Sequence, residues 1–191
     1  MTDDPDQVVL LNEDGSERSN AGKLDAHRPP GQLHRAFSVF LFDAEGRVLL
    51  QRRADGKHLF AGLWSNSCCS HPRPGEAVVD AARRRVREEL GLDCALEEVG
   101  LFEYHAHDPV SGMDERERVH VVAGLAGAAP NPDPSEVSDV QAVPFAEVFD
   151  RLARQPSHFS PWLAGTATEV RPWWQRTFGD NRLPSPASRR S

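Results

Sequence analysis

No stretch of the sequence approaches the roughly 20 consecutive apolar residues that a membrane-spanning helix needs, which argues against a membrane protein. Cysteine is scarce. There are three, an odd number with two of them adjacent, so a disulfide framework is not expected to hold the fold. Positive charge is also in short supply. Twenty-two lysines and arginines face 29 aspartates and glutamates, for a net charge of −7. That balance argues against a nucleic-acid binder but leaves room for a local basic pocket. The acidic opening MTDDPDQ has no feature of a signal peptide, and no internal repeat is present. A chain of 191 residues is long enough for one domain with a substantial core. The expectation is a monomeric cytoplasmic protein.

Residues 1–7 are expected to be disordered, residues 8–178 to form one domain, and the polar tail at 179–191 to be mobile. Residues 8–12 (VVLLN) read as a strand ending in a turn at Glu13-Asp14-Gly15. AFSVFLFD and RVLLQRR, on either side of Ala44-Glu45-Gly46, read as a hairpin whose first strand is buried on both faces. Residues 56–74 show no period and read as a long functional loop. A helix follows over 76–90, with Val79, Ala82, Val86 and Leu90 on one stripe and Gly91 as its stop. Strands are expected near 99–107 and 118–126, with a short one ending at Ala142-Val143. Pro144 opens a helix to about Leu152, and 159–178 reads as a helix kinked or broken at Pro172. Strands before and after helices suggest an α+β fold, an α/β/α sandwich.

Several residue groups bear chemistry, each with a plainer alternative. His27, His34 and His71 fall in separate segments, and pattern alone does not unite them. Glu115 and Glu117, at i, i+2 ahead of an apolar strand, aim at one face if extended, or are a solvated charge run. Cys69 is a small buried thiol or one tuned by a nearby cation for proton transfer. Glu88 and Glu89 are metal ligands or i,i+4 partners of Arg84 and Arg85. Lys23, Arg53, Lys57 and Arg85 suit phosphate oxygens, or are solvated. Trp162, in HFSPW, is an anchor or a π-face for a cation. Three nitrogens with two carboxylates would suit Mn²⁺, Zn²⁺ or Mg²⁺.

Residues 69–92 match most of the Nudix box, with Ser70, Glu76, Arg84, Val86, Glu88, Glu89, Gly91 and Leu92 at its offsets. With WSNSCCSHP at 64–72, AHRPPGQLHRAFSVFLF, YHAHDPVSGMDERERV and HFSPW, the chain resembles type 1 isopentenyl-diphosphate isomerase from about Val8 to Trp174. This is a Nudix-like branch that moves a double bond. The resemblance implies a mixed sheet and one divalent metal on His27, His34, His71, Glu115 and Glu117. It implies a Mg²⁺ held by Glu89, the Cys69 carbonyl and the substrate diphosphate. It also implies a diphosphate clamp of Lys23, Arg53, Lys57 and Arg85. Cys69 and Glu117 would flank the reacting carbons, Tyr104 would assist the glutamate, and Trp162 would cap an allylic cation. The partner implied is a small prenyl diphosphate, and no role carries over to Cys68.

Two departures from the box matter. Ser70 stands where the box has glycine, and Arg85 stands where it has a glutamate that serves hydrolysis. The second weakens a hydrolase and strengthens a clamp. The competing readings are a Nudix hydrolase of small diphosphates, which the retained Glu88 leaves open, and a non-catalytic prenyl-diphosphate binding protein.

Overall fold

The structure, a computed structural model, describes residues 6–179. The mobile ends expected at 1–7 and 179–191 lie outside these residues, apart from Asp6, Gln7 and Gly179 at their borders. Gln7 opens strand β1 (Gln7–Leu11), which pairs with β2 (Glu17–Gly22). Helix α1 (Lys23–His27) follows. Neither β2 nor α1 stood out in the sequence: β2 is mostly exposed and polar, and a five-residue helix is too short to show a period.

The axis of the fold is β3 (His34–Phe42), buried on both faces over nearly all its length, as expected. One edge pairs in parallel with β8 (Met113–Leu125), from His34↔Glu117 to Phe42↔Leu125. The other edge is shared by three partners. β1 meets it at His34, β6 (Cys68–Ser70) at Phe37 to Val39, and β4 (Arg47–Arg53) at Phe42. The expected hairpin is therefore a turn with one flanking pair, because β6 takes the edge that β4 would have continued along. β4 pairs instead with β9 (Val137–Pro144) and with the two-residue β5 (Trp64–Ser65). β7 (Leu96–Asp108) closes the far side against β8. The sheet is mixed.

Alternation along β3 sorts the core into two layers. Phe37, Val39 and Leu41 join Ala82, Val86 and Leu90 of α2 (Val78–Leu90) on one face. Phe40 and Phe42 join α3 (Phe145–Arg154) and α4 (Leu163–Phe178) on the other. The result is the expected α/β/α sandwich. Ser38 and His34 lie on the α4 face by the same alternation. There α4 leaves the N-terminal end of the strand uncovered.

α4 departs from expectation twice. It starts at Leu163, not Phe159, because the residue before Pro161 is disfavoured in α geometry. It also runs through Pro172 unbroken. A helix-interior proline costs about 3 kcal/mol, but Trp173 and Trp174 follow it into the core. Trp173 stacks on Phe42, and the Trp174 Nε1–H donates to the Gly46 carbonyl at 2.7 Å. Each indole removes on the order of 200 Å² from water, roughly 5 kcal/mol at most, so burial outweighs the lost bond.

Gly91 ends α2 with φ of 65°, its N–H bonded to the Arg87 carbonyl. A Cβ there would lie 3.0 Å from the Asn131 carbonyl oxygen. Gly91→Ala should therefore lower stability by about 1–2 kcal/mol, read as a lower denaturant midpoint at unchanged slope.

Candidate active site

The cavity at the uncovered end of β3 has a volume of about 260 Å³. Lys23, Arg53, Lys57, Cys69, His71, Arg85, Tyr104, Glu115, Glu117 and Trp162 all reach its wall. His27, at the end of α1, lies beneath it, and so does His34, at the start of β3.

His27, His34, His71 and Glu117 place one ligating atom each within 4.8 Å of one another. Parallel pairing sets Glu117 beside His34, and the antiparallel β7–β8 pairing sets Tyr104 beside Glu117. Glu115 lies two residues along β8 on the same face, its Oε1 4.0 Å from His27 Nε2. His71 Nε2 lies 2.9 Å from Glu117 Oε1 and 3.2 Å from His34 Nε2.

The imidazoles are oriented from behind. The Nδ1–H of His27 donates to the Lys23 carbonyl at 2.6 Å, and that of His34 to the Gln32 carbonyl at 2.7 Å. In the neutral rings those bonds select the tautomer that leaves Nε2 as an acceptor facing inward. His27 Nε2 is buried and has no hydrogen-bond partner. Burial, then the neighbouring His34, pushes His27 down to about 4, and burial pushes His71 down to about 3. Both rings therefore offer lone pairs at neutral pH. His34 goes the other way: burial works to lower it, but the hydrogen bond and charge of Glu117 outweigh that and raise it, so in the free protein a proton is held between the His34 ring and the Glu117 carboxylate. A divalent ion would take the place of that proton, and inward imidazole nitrogens beside a carboxylate are its donor set, so the residues fit one.

The two glutamates differ. Burial works against ionisation of Glu117, but the bonds from His34 and His71 outweigh it and hold its carboxyl well below the usual range. Burial, then the charge of Glu117, raises Glu115 to about 8. The Tyr104 hydroxyl reaches Glu115 Oε2 at 2.5 Å and Glu117 Oε2 at 2.8 Å, so one phenol proton serves both.

Cys68 and Cys69 point opposite ways because they are neighbours in a strand. Cys68 sits in the α2 core, and Cys69 packs with Leu59, Phe60 and Trp162 at the cavity. Burial pushes the Cys69 thiol up to about 11, which keeps it protonated. β6 and β8 lie on opposite edges of β3, so Cys69 and Glu117 approach the cavity from opposite sides.

The four predicted cations are brought together, but they are not bare. The Arg85 Nη groups donate to Glu88 at 2.7 Å, Glu89 at 2.5 Å and Glu136 at 3.1 Å. Lys57 also pairs with Glu136. Burial, then Lys57, Arg53 and Arg85, lower Lys23, a shift that a bound anion would reverse. Arg53 donates to the Phe60 and Leu59 carbonyls at 3.1 and 2.9 Å and lies 5.4 Å from the Trp162 ring centroid. Part of its fork thus anchors the loop bearing Lys57. Phe60 in that loop has φ of 50°, and Asp108 holds its N–H at 3.0 Å. A non-glycine residue in that region costs about 1–2 kcal/mol, so two buried contacts fix a strained turn.

Glu89 stands apart from the histidine cluster. It is buried on α2, accepting from Arg85 and from Gln51 Nε2 at 3.3 Å. Sequence reasoning missed Glu136, which lies just past a stretch that reads only as a turn-rich linker. It also missed Ser38, whose polarity within an apolar strand was a usable signal, and Asn66.

The NUDIX domain model matches residues 32–163, more than half the chain, which defines the class of protein. Among solved structures, DR0079 from Deinococcus radiodurans aligns with TM-score 0.70 at 20% identity, covering 85% of this chain and 97% of that one. The MutT protein from Methanosarcina mazei aligns at 0.60 and 16%, covering 76% and 94%. Such identities speak for the fold alone. Isopentenyl-diphosphate Delta-isomerase of Streptomyces griseus is 52% identical over 166 residues, 86% of this chain and 83% of that protein. The Nocardia farcinica protein of the same name is 50% identical over 157 residues, covering 82% and 90%. The chain belongs to the isopentenyl-diphosphate Delta-isomerase family, and with its histidine–glutamate group it is built for divalent metal use.

Chelator-treated protein should gain thermal stability on adding Mn²⁺ or Zn²⁺, worth about 2.7 kcal/mol at a hundredfold excess over Kd. His27→Ala should remove most of that gain in calorimetry. An equal gain in both proteins would place the ion elsewhere.

Proposed function

We propose that this protein interconverts isopentenyl diphosphate and dimethylallyl diphosphate. One proton is added to the alkene and another removed from the neighbouring carbon, with the diphosphate left intact. The observation that carries this reading is a thiol and a carboxylate able to exchange protons, Cys69 and Glu117 with Tyr104, on opposite sides of one cavity capped by Trp162. Phosphate-ester hydrolysis has no use for such a pair. A hydrolase would keep the helix glutamate that Arg85 replaces.

Each residue then has a task. Lys23, Lys57 and Arg85, with the free part of Arg53, hold the diphosphate and put the hydrocarbon end among Leu59, Phe60 and Trp162. That apolar lining keeps water from the tertiary cation. The Trp162 ring stabilises the cation by its quadrupole, worth about 2 kcal/mol when desolvated. One of Cys69 and Glu117 gives a proton and the other takes one. Tyr104 passes its hydroxyl proton between Glu115 and Glu117, so the carboxylate pair can hold a proton despite the histidines beside it. A divalent ion on His27, His34, His71, Glu115 and Glu117, whether Mn²⁺, Zn²⁺ or Mg²⁺, supplies fixed positive charge beside these carboxylates. Glu89 would serve a Mg²⁺ shared with the diphosphate, once Arg85 turns toward the substrate. One chain supplies every group, which supports a monomer as the proposed unit, and the absence of a membrane-spanning helix among the described residues is compatible with the cytoplasmic location proposed for it.

Purified protein given isopentenyl diphosphate and Mg²⁺ should yield the dimethylallyl isomer without inorganic phosphate. Phosphate release at a comparable rate would favour a hydrolase, and tight binding without turnover a binding protein. Cys69→Ala should lower kcat about 100-fold or more, while Cys68→Ala should cost only packing stability. The reverse pattern would put the wrong cysteine at the site.

Trp162→Phe should keep more activity than Trp162→Leu, because a π-face survives only in the first. Equal losses in steady-state assays would reduce Trp162 to packing.

A further inference from the structure

Asn66 is fully buried and has no part in the roles assigned so far, yet its side chain makes five hydrogen bonds. Nδ2 donates to the Val39 carbonyl at 3.0 Å and to the Cys68 carbonyl at 2.9 Å. Those two bonds use both amide protons and decide which way the amide faces. Val39 and Cys68 are themselves paired across β3 and β6, so the amide is tied to the ladder itself. Oδ1 is left facing the cavity wall. It accepts from Cys69 Sγ at 2.9 Å, Trp162 Nε1 at 3.1 Å and Ser65 Oγ at 3.0 Å.

Three donors converge on an oxygen with two lone pairs. The indole N–H is accordingly shared, also lying 3.1 Å from Cys69 Sγ and from Ser65 Oγ. Ser38 and Ser65 hydroxyls lie 3.4 and 3.7 Å from the same sulfur. If the thiol gives up its proton, Asn66 loses one donor, and the indole N–H and both hydroxyls can turn to the thiolate. The thiol and the aromatic cap come from segments more than ninety residues apart, and Asn66 Oδ1 is a point that both touch.

We propose that Asn66 is a positioning residue whose amide oxygen draws the Cys69 S–H and the Trp162 N–H to one point. It thereby fixes the sulfur and the aromatic face relative to each other at the cavity. This rests on the isomerase reading for its consequence in turnover, but the placement itself can be tested without substrate.

The first measurement uses the unaltered protein. The infrared S–H band of Cys69, isolated by subtracting the Cys69→Ala spectrum, should lie at lower frequency than that of an unbonded thiol. A band at the unbonded position overturns the proposal, whatever the substrate proves to be. In Asn66→Ala the band should move up to the unbonded position. Its kcat with isopentenyl diphosphate should fall about 100-fold, the scale of a misplaced reacting group. KM should stay within about 3-fold, because the clamp is untouched. A folded Asn66→Ala protein with undiminished kcat, or with its whole loss in KM, overturns the proposal. If that variant does not fold, the band of the unaltered protein decides. If the unaltered protein shows the lowered band but no isomerisation, the positioning stands and the proposed reaction falls.

Discussion

The register of β3 between its two neighbours is the constraint on which the site depends. On one edge His34 lies opposite Glu117, and on the other Ser38 lies opposite Cys69. A slip of one residue would turn the imidazole and the hydroxyl into the α2 core and push Phe37 and Val39 into the cavity. The apolar residues therefore hold the chemistry in place without touching it. Phe37, Val39 and Leu41 on one face, and Phe40 and Phe42 on the other, are fully buried, so any slipped register would expose one set and bury polar groups among the other. The stability of the sheet and the aim of the catalytic groups rest on the same ladder of bonds.

Charge in the cavity is nearly balanced before any substrate arrives. Lys23, Arg53, Lys57 and Arg85, the proposed clamp, face Glu88, Glu89 and Glu136, which leaves little net positive charge for the proposed diphosphate. Buried cations without partners would be costly, and the carboxylates offset that cost in the free protein. The same arrangement makes divalent ions the natural complement of the substrate, since they restore the charge that the glutamates have used. Under the proposed reading it would also favour a metal-bound diphosphate over a bare one, because the Glu136 carboxylate would repel the latter.

Much of this was legible in the sequence, for physical reasons. β3, β4, α2 and the strands around them carry strong apolar patterns, and the i, i+2 spacing of Glu115 and Glu117 implied their common face. The convergence of His27, His34 and His71 was not legible from spacing, because it depends on antiparallel pairings that bring β1 and β6 to the same edge of β3. The resemblance supplied that knowledge. What escaped both were residues whose role is made by contact. Glu136 reads as part of a proline-rich turn until Lys57 and Arg85 are seen beside it. Asn66 was in plain view inside WSNSCCSHP, but nothing in a string of letters shows an amide with all its bonds satisfied. The break allowed for at Pro172 does not occur in α4, because the local penalty was weighed without the tertiary burial of the tryptophans after it.

Trp162 is the residue immediately before α4, the last helix described, whereas Cys69, His27, His34, His71, Glu115 and Glu117 all precede residue 118. During synthesis the chain thus acquires the groups proposed to handle protons well before it acquires the aromatic wall. α4 then packs over the sheet, with Trp174 tied to the turn at Gly46. A chain without α4 lacks more than that wall, because Leu163, Ala167, Val170, Trp173 and Trp174 complete one of the two core layers. The enclosure that the proposed carbocation needs and the packing that holds the sheet are thus finished by the same segment.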